Sequence, residues 1–227
     1  MKKTPHVCIL QTSFAKRDDT IEFLKERVPG VNVAFITDST LLADVRAAGG
    51  PTESVIERMR LYAKAAEISG ADLIVNSCST VGEVAEIYRQ DVSIPVMRVD
   101  EPMAKAAAFI GGKIALVATV ETTLGPSRRL IERYAEKYGK TVECEEFLET
   151  AAFRAIAEGD AAEHNRILIK RFKELDTMGF DVIVMVQVSM RALLPELKKM
   201  STPVLNSFES GYQAVADRLL KIAEASD

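Results

Sequence analysis

The chain has 227 residues, of which 48% are hydrophobic and 27% are charged, and its formal net charge is −4. This length and composition are typical of a globular protein that needs no disulfide or metal to hold its core. The negative charge argues against a nucleic-acid partner, because such binding requires a basic surface. No apolar run approaches the ~18 residues of a membrane span, and the amino terminus has no signal-peptide pattern.

Cysteine and histidine usage indicates a reducing compartment. The three cysteines, Cys8, Cys78 and Cys144, are odd in number and widely spaced, which is typical of free thiols in the cytoplasm. Two histidines without a Cys/His cluster leave little material for a zinc site. We therefore expect a cytoplasmic protein without a structural metal.

Strand-like and helix-like segments alternate along the chain. The expected strands lie near 6–12, 31–36, 71–76, 94–97, 113–118, 141–145, 181–186 and 203–205. The expected helices lie near 17–27, 52–69, 80–89, 101–110, 124–138, 160–178, 190–199 and 208–224. Continuous apolar runs such as Leu73-Ile74-Val75 suit strands that are buried on both faces. The alternation predicts parallel sheets with helical crossovers.

The sequence contains one internal repeat. Residues 70–79 (GADLIVNSCS) align with residues 179–188 (GFDVIVMVQV), at an offset of 109. Blocks that begin at Val7 and Ile94 align with later segments in the same order and at nearly the same offset. We expect an α/β protein of two pseudo-symmetric lobes, each with a mainly parallel four-stranded sheet flanked by helices. The N-terminal lobe is predicted to span 1–99 plus 208–227 and the C-terminal lobe 100–207, with the active site in the cleft between them.

Polar residues follow several strands at the ends where α/β sheets bind ligands. Cys78 ends a buried strand and precedes a predicted helix whose capping box is Thr80 and Glu83, which favours a thiolate and an anionic ligand. The alternative is that Cys78 is a small buried filler. The expected substrate-binding residues are Gln11, Thr12, Asn76, Ser79, Thr80, Thr119, Thr122, Thr123 and Ser189. For Gln11 and Thr12, a role in a turn is an equal alternative. For Thr122 and Thr123, a role as the cap of the following helix is an equal alternative.

These motifs resemble the aspartate/glutamate/hydantoin racemase superfamily. Its first-lobe signature, Cys-x-Thr at a strand end, is present as Cys78-Ser79-Thr80, and the run 118–126 (ATVETTLGP) resembles its second-lobe entry. The resemblance implies a racemase or epimerase, with no metal or coenzyme, that acts at the carbon alpha to a carboxylate of an amino acid or related acid. Cys78 is the implied acid/base. The implied partner is a small carboxylate substrate, and a homo-oligomer stays open.

The chain departs from this superfamily in its second lobe. Its racemases typically have a second cysteine at the counterpart of Cys78, and the repeat assigns that catalytic position to Gln187. A glutamine amide has no acid or base chemistry near neutral pH, whereas two-thiol racemisation needs two titratable groups. The chain is in this respect similar to single-cysteine members such as aryl-malonate decarboxylases. A single-thiol decarboxylase, a cis–trans isomerase of a diacid and a catalytically silent carboxylate-binding protein are therefore alternatives.

Overall fold

The computed structural model of the chain describes residues 4–13 and 17–225. The chain divides into two compact units. Unit 1 comprises Met1–Glu101 and Phe208–Asp227, and unit 2 comprises Pro102–Ser207. Across the described ranges, no helix is both long and apolar enough to cross a bilayer.

Unit 1 is built on a parallel sheet of four strands. They are β1 (His6–Gln11), β2 (Asn32–Thr37), β3 (Leu73–Asn76) and β4 (Val96–Arg98), in the order β2-β1-β3-β4. The helices are α1 (Arg17–Arg27), α2 (Thr40–Ala48), α3 (Glu53–Ile68) and α4 (Val84–Tyr88), and a 3-10 turn at Ser79–Val81 precedes α4. Leu73, Ile74 and Val75 are all fully buried. Because successive side chains of a strand point to opposite faces, this sheet is covered on both sides.

Unit 2 repeats the same arrangement. Its strands are β5 (Gly112–Ala118), β6 (Val142–Leu148), β7 (Val182–Met185) and β8 (Val204–Asn206), all parallel, in the order β6-β5-β7-β8. Its helices are α5 (Glu101–Ile110), α6 (Leu124–Lys137), α7 (Thr150–Ala157), α8 (Ala161–Leu175) and α9 (Leu194–Leu197). Two 3-10 turns, Glu121–Thr123 and Val188–Leu193, precede α6 and α9. Every residue of β7 is fully buried, as in the middle of β3.

The last helix, α10 (Ser207–Glu224), packs its aromatic side chains on unit 1. Phe208 lies edge-on to Phe23 of α1, with ring centroids 5.5 Å apart, and Tyr212 lies 6.5 Å from the same ring. Both α10 rings are almost fully buried. The chain therefore completes the core of unit 1 with a helix that follows unit 2 in the sequence.

The fold class expected from the sequence is confirmed. Both units have one four-stranded parallel sheet, and the two sheets share one strand order. The aligned segments 70–79 and 179–188 contain β3 and β7, which hold the same place in their sheets. The internal repeat therefore corresponds to a repeated strand topology.

Four helical segments differ from the expectation. Helices α2 and α7 were not predicted, and the helices expected at 80–89 and 190–199 are each a 3-10 turn followed by a short α-helix. The first turn is closed by i→i+3 bonds such as Gly82 N–H to the Ser79 carbonyl. In the second segment Pro195 stands in the first turn of α9, where its missing N–H costs no hydrogen bond. Period alone does not separate these tight turns from a regular helix.

Candidate functional site

Cys78 lies two residues beyond the end of β3, at the carboxyl edge of the unit 1 sheet. Its side chain is partly exposed, and the Thr12 hydroxyl donates a hydrogen bond to the Cys78 Sγ at 3.1 Å. Thr12 reaches the sulfur because β1 and β3 are parallel neighbours in which Leu10 pairs with Asn76. The same register, continued by two residues, sets Thr12 beside Cys78. Strand pairing thus brings a hydroxyl donor to the thiol.

Asn76 holds the loop that carries the thiol, residues 77–82, which we call the thiol loop. The Asn76 Oδ1 accepts from the Cys78 N–H at 3.1 Å. The Asn76 Nδ2 donates to the Val81 carbonyl at 3.3 Å and to the Tyr88 hydroxyl at 3.1 Å. The side chain is 1% exposed. Both ends of the Asn76 amide are therefore used within the protein, and its role in substrate binding stays a prediction.

A buried tyrosine supports the thiol loop from α10. The Ser77 Oγ lies 2.8 Å from the Tyr212 hydroxyl. Tyr212 is fully enclosed, and burial raises the pKa of its phenol, so the group stays neutral. Sequence reasoning missed Tyr212 and Tyr88, because each lies on an amphipathic helix where an aromatic residue normally indicates core packing. The residue before the thiol is therefore fixed by a helix distant in sequence.

A buried ion pair lies against the other end of the thiol loop. The Arg98 Nε and Nη2 donate to the two carboxylate oxygens of Asp100, both at 2.9 Å, and each residue is 2% exposed. Burial opposes the charge on Arg98, but the Asp100 carboxylate outweighs it and raises the pKa of the guanidinium. A Cβ built on Gly82 would lie 2.5 Å from the Arg98 Nη2, so a larger residue there would force the guanidinium to move. This pair was not among the residues predicted from the sequence.

We expect Asp100→Ala to lower the free energy of unfolding by about 3–5 kcal/mol, because it leaves a buried guanidinium without its counter-ion. Urea unfolding followed by circular dichroism measures the change. Glu163→Ala, which breaks the exposed pair of Glu163 with Arg166, is the matched control and should change stability little. Equal stability of the Asp100→Ala protein and the wild type would contradict this role of the pair.

The expected capping box at Thr80 and Glu83 is wrong. Thr80 lies inside the 3-10 turn, and Glu83, not Thr80, occupies the N-cap position of α4, where no side-chain cap bond forms. A turn of three residues followed by a five-residue helix aligns few peptide dipoles. Ser79 and Thr80 are buried, at 8% and 1% exposure. The contact shown at the Cys78 sulfur is therefore the Thr12 hydroxyl rather than a capped helix end.

Gln11 has a partner on the neighbouring strand. Its Nε2 donates to the Thr37 Oγ1 at 3.0 Å, and the residue is 9% exposed. This bond ties the end of β1 to the end of β2. Of the two β1-end residues predicted for the site, the structure brings Thr12 to the thiol and gives Gln11 a bond between strands.

Gln187 lies two residues beyond the end of β7, as Cys78 does beyond β3. Its Oε1 accepts from the Thr119 N–H at 2.6 Å and from the Thr119 hydroxyl at 3.1 Å. Because a backbone N–H can only donate, the amide orientation is fixed with its oxygen toward Thr119. The amide nitrogen, with two N–H donors, is the end that Thr119 does not hold. The side chain is partly exposed.

The remaining predicted residues of unit 2 divide by burial. The Thr123 Oγ1 donates to the Val120 carbonyl at 2.7 Å and closes the 3-10 turn before α6. Thr123 occupies the N-cap position of α6, as the alternative interpretation expected, but makes no side-chain cap bond there. Thr122 is partly exposed and Ser189 is exposed. Thr123 therefore closes the turn before α6, and the substrate-binding roles of Thr122 and Ser189 stay predictions.

The other two cysteines differ from Cys78 in their surroundings. Burial raises the pKa of the Cys8 thiol to about 11, and burial together with the nearby Glu132 raises that of Cys144 to about 11. Both thiols are therefore protonated at neutral pH. Among the cysteines, only Cys78 combines partial exposure with a strand-end position and a hydroxyl donor.

Comparisons with known proteins point to one family. Residues 24–215 match the family model described as Asp/Glu/Hydantoin racemase. A search among curated proteins finds no match. A glutamate racemase from Francisella tularensis, solved with D-glutamate, superimposes with a TM-score of 0.72 at 13% identity, over 97% of this chain and 82% of that one.

Two further solved structures have the same fold. A glutamate racemase from Aquifex pyrophilus gives a TM-score of 0.65 at 20% identity, over 94% of this chain and 83% of that one. An allantoin racemase from Pseudomonas fluorescens gives 0.60 at 13% identity, over 96% of this chain and 91% of that one. At these identities the likeness extends to the fold, and the family match covers most of the chain.

Proposed function

We propose that this chain, which belongs to the Asp/Glu/hydantoin racemase family, is a racemase or epimerase that uses Cys78 as its acid/base. Its substrate is an amino acid or related acid, and the proton moved is on the carbon next to the carboxylate. The observation that carries the proposal is the hydrogen bond from the Thr12 hydroxyl to the partly exposed Cys78 sulfur. A donor to sulfur favours the thiolate, which is the form that removes a proton.

The proposed reaction needs no redox partner. The Cys78 thiolate takes the alpha proton, and the electron pair of the broken C–H bond delocalises into the adjacent carboxylate. The thiol, or a second donor on the opposite face, then returns a proton to the carbon. Such proton transfer by a positioned group accelerates reactions by about 10²–10⁴-fold. Hydrogen-bond donors near the carboxylate oxygens stabilise the charge that develops there.

We assign Gln187 an orienting role in this reaction. Since Thr119 holds its amide oxygen, its N–H donors are the groups offered to a ligand. A carboxylate oxygen is a matching acceptor, whereas a proton cannot be taken up by this amide. Ser189 and Thr122, which are accessible in unit 2, are further candidates to hold carboxylate oxygens. That Cys78 and Gln187 serve one substrate from the two lobes stays a prediction.

Decarboxylation of a diacid is the second candidate, and the single thiol favours it. In that reaction a C–C bond breaks, carbon dioxide leaves, and the electron pair stays on the alpha carbon. One protonation by Cys78 then completes the turnover, so no acid or base is needed at position 187. A cis–trans isomerase of a diacid would likewise need only one thiol.

A heavy-water screen discriminates these possibilities. The protein is incubated in deuterium oxide with amino acids, hydroxy acids and dicarboxylates, and mass spectrometry follows deuterium gain and loss of carbon dioxide. Deuterium gain at the alpha carbon of an otherwise unchanged acid supports the racemase. Loss of carbon dioxide supports the decarboxylase. Binding of an acid without exchange or conversion would indicate a silent carboxylate-binding protein and overturn the proposal.

A further inference from the structure

In each unit a threonine hydroxyl donates to the side chain at one equivalent position, which is Cys78 in unit 1 and Gln187 in unit 2. Thr12 directly follows β1 and donates to the Cys78 Sγ at 3.1 Å. Thr119 directly follows β5 and donates to the Gln187 Oε1, also at 3.1 Å. The two contacts join residues of unlike chemistry, a thiol and an amide. What the units share is therefore the threonine and its direction of donation.

Strand register explains why the contact recurs. Leu10 pairs with Asn76 across β1 and β3, and Val117 pairs with Met185 across β5 and β7. Two residues further along each strand pair stand the threonine and its partner. Both threonines are buried, at 8% and 5% exposure, and the branched Cβ of threonine restricts its side-chain rotamers. The hydroxyl is thus held beside the side chain that lies two residues beyond the end of β3 or β7.

We propose that Thr12 and Thr119 are positioning residues, each of which sets the functional side chain of its own unit. Thr12 orients the Cys78 sulfur, and Thr119 orients the Gln187 amide. The meaning of Thr12 for catalysis rests on the proposed function, but the hydrogen-bond relation itself does not. One consequence is specific to unit 2: a thiol placed at position 187 would receive the same hydroxyl donor that Cys78 receives.

The first test measures the alkylation of Cys78 by iodoacetamide across a pH series, by peptide mass spectrometry. Thr12→Val removes the donor at nearly constant volume, and Thr12→Ser keeps it. A hydroxyl donor to sulfur favours the anion but also lowers its nucleophilicity, so the two effects partly cancel in the alkylation rate. We expect Thr12→Val to alkylate about threefold more slowly than the wild type, and Thr12→Ser to match the wild type.

Cys144 in the same digests is the internal reference, and its alkylation should be unchanged, since it lies in the other unit. Thr12→Ala, which cannot crowd the strand end, guards against a folding defect in Thr12→Val and should show the same loss. Wild-type alkylation in both Thr12→Val and Thr12→Ala would overturn the proposal for unit 1. So would a Thr12→Ser protein as slow as Thr12→Val.

The second test moves the measurement to unit 2. In a Gln187→Cys background, Thr119→Val should slow alkylation of the introduced thiol by about the same threefold factor, and Thr119→Ser should not. Equal alkylation of the introduced thiol with and without the Thr119 hydroxyl would overturn the equivalence. These readouts require no turnover. If Thr12 controls alkylation while Cys78→Ala still exchanges deuterium, the proposed function fails and this inference stands. If Thr12 has no effect on alkylation while Cys78→Ala loses exchange, this inference fails and the proposed function stands.

Discussion

Cys78→Ala is expected to reduce deuterium exchange into the substrate by about 10²–10⁴-fold, the range typical of a lost general acid or base. The reason is that the described structure offers no second thiol of the same kind. Burial keeps Cys8 protonated, with its pKa at about 11, and Cys144 has a pKa of about 11 as well. The measurement is the initial rate of deuterium gain by mass spectrometry, with the acid that exchanges fastest in the wild type.

Cys144→Ala is the matched control, because it also replaces a partly buried cysteine by alanine, but in unit 2. We expect it to exchange at close to the wild-type rate. Full exchange by Cys78→Ala would show that another group moves the proton, and the assignment of the site would fall. Loss of exchange in both variants would instead indicate a general effect on the fold, which circular dichroism would reveal.

The sheets were predictable because a strand that is buried on both faces is a continuous run of apolar residues in the sequence. Residues 73–75 of β3 and all of β7 are apolar and fully buried. The repeat then fixed which strands correspond. The helices α2 and α7 were missed because each is short and follows a strand closely. Helical period also failed at 80–89, where a 3-10 turn interrupts the pattern.

The strand-end positions of the candidate site residues were predictable from the sequence, whereas their contacts were not. Polar residues at the carboxyl ends of strands were correctly located, since Gln11, Thr12 and Asn76 all lie there. Their roles depend on which strands are neighbours and in what register, and neither is written in a single sequence. Asn76 proved to hold the loop, and Thr12 proved to contact the thiol, because β1 pairs with β3. A polar residue at a strand end can serve either purpose with the same local sequence.

The wild-type protein is expected to exchange one enantiomer of its substrate faster than the other. Cys78 can take a proton on its own face of the alpha carbon, whereas the Gln187 amide can donate a hydrogen bond but cannot accept a proton. Exchange on the opposite face must recruit water or another group such as Ser189, which is exposed. Separate incubations of the two enantiomers in heavy water measure both rates. Equal rates would reveal a second acid/base that the sequence and the site do not identify.

Gln187→Cys is the variant that tests this asymmetry most directly. The repeat and the strand register both equate position 187 with position 78, and Thr119 already provides the hydroxyl donor that accompanies the thiol in unit 1. With an acid/base on each face, we expect the slow enantiomer to gain exchange by about 10²–10⁴-fold, approaching the fast one. Chiral chromatography of the product should then show true racemisation. Gln187→Ser, which is small and polar but does not titrate near neutral pH, is the control and should leave the slow enantiomer slow. A Gln187→Cys protein as one-sided as the wild type would mean that positions 78 and 187 do not act on one carbon.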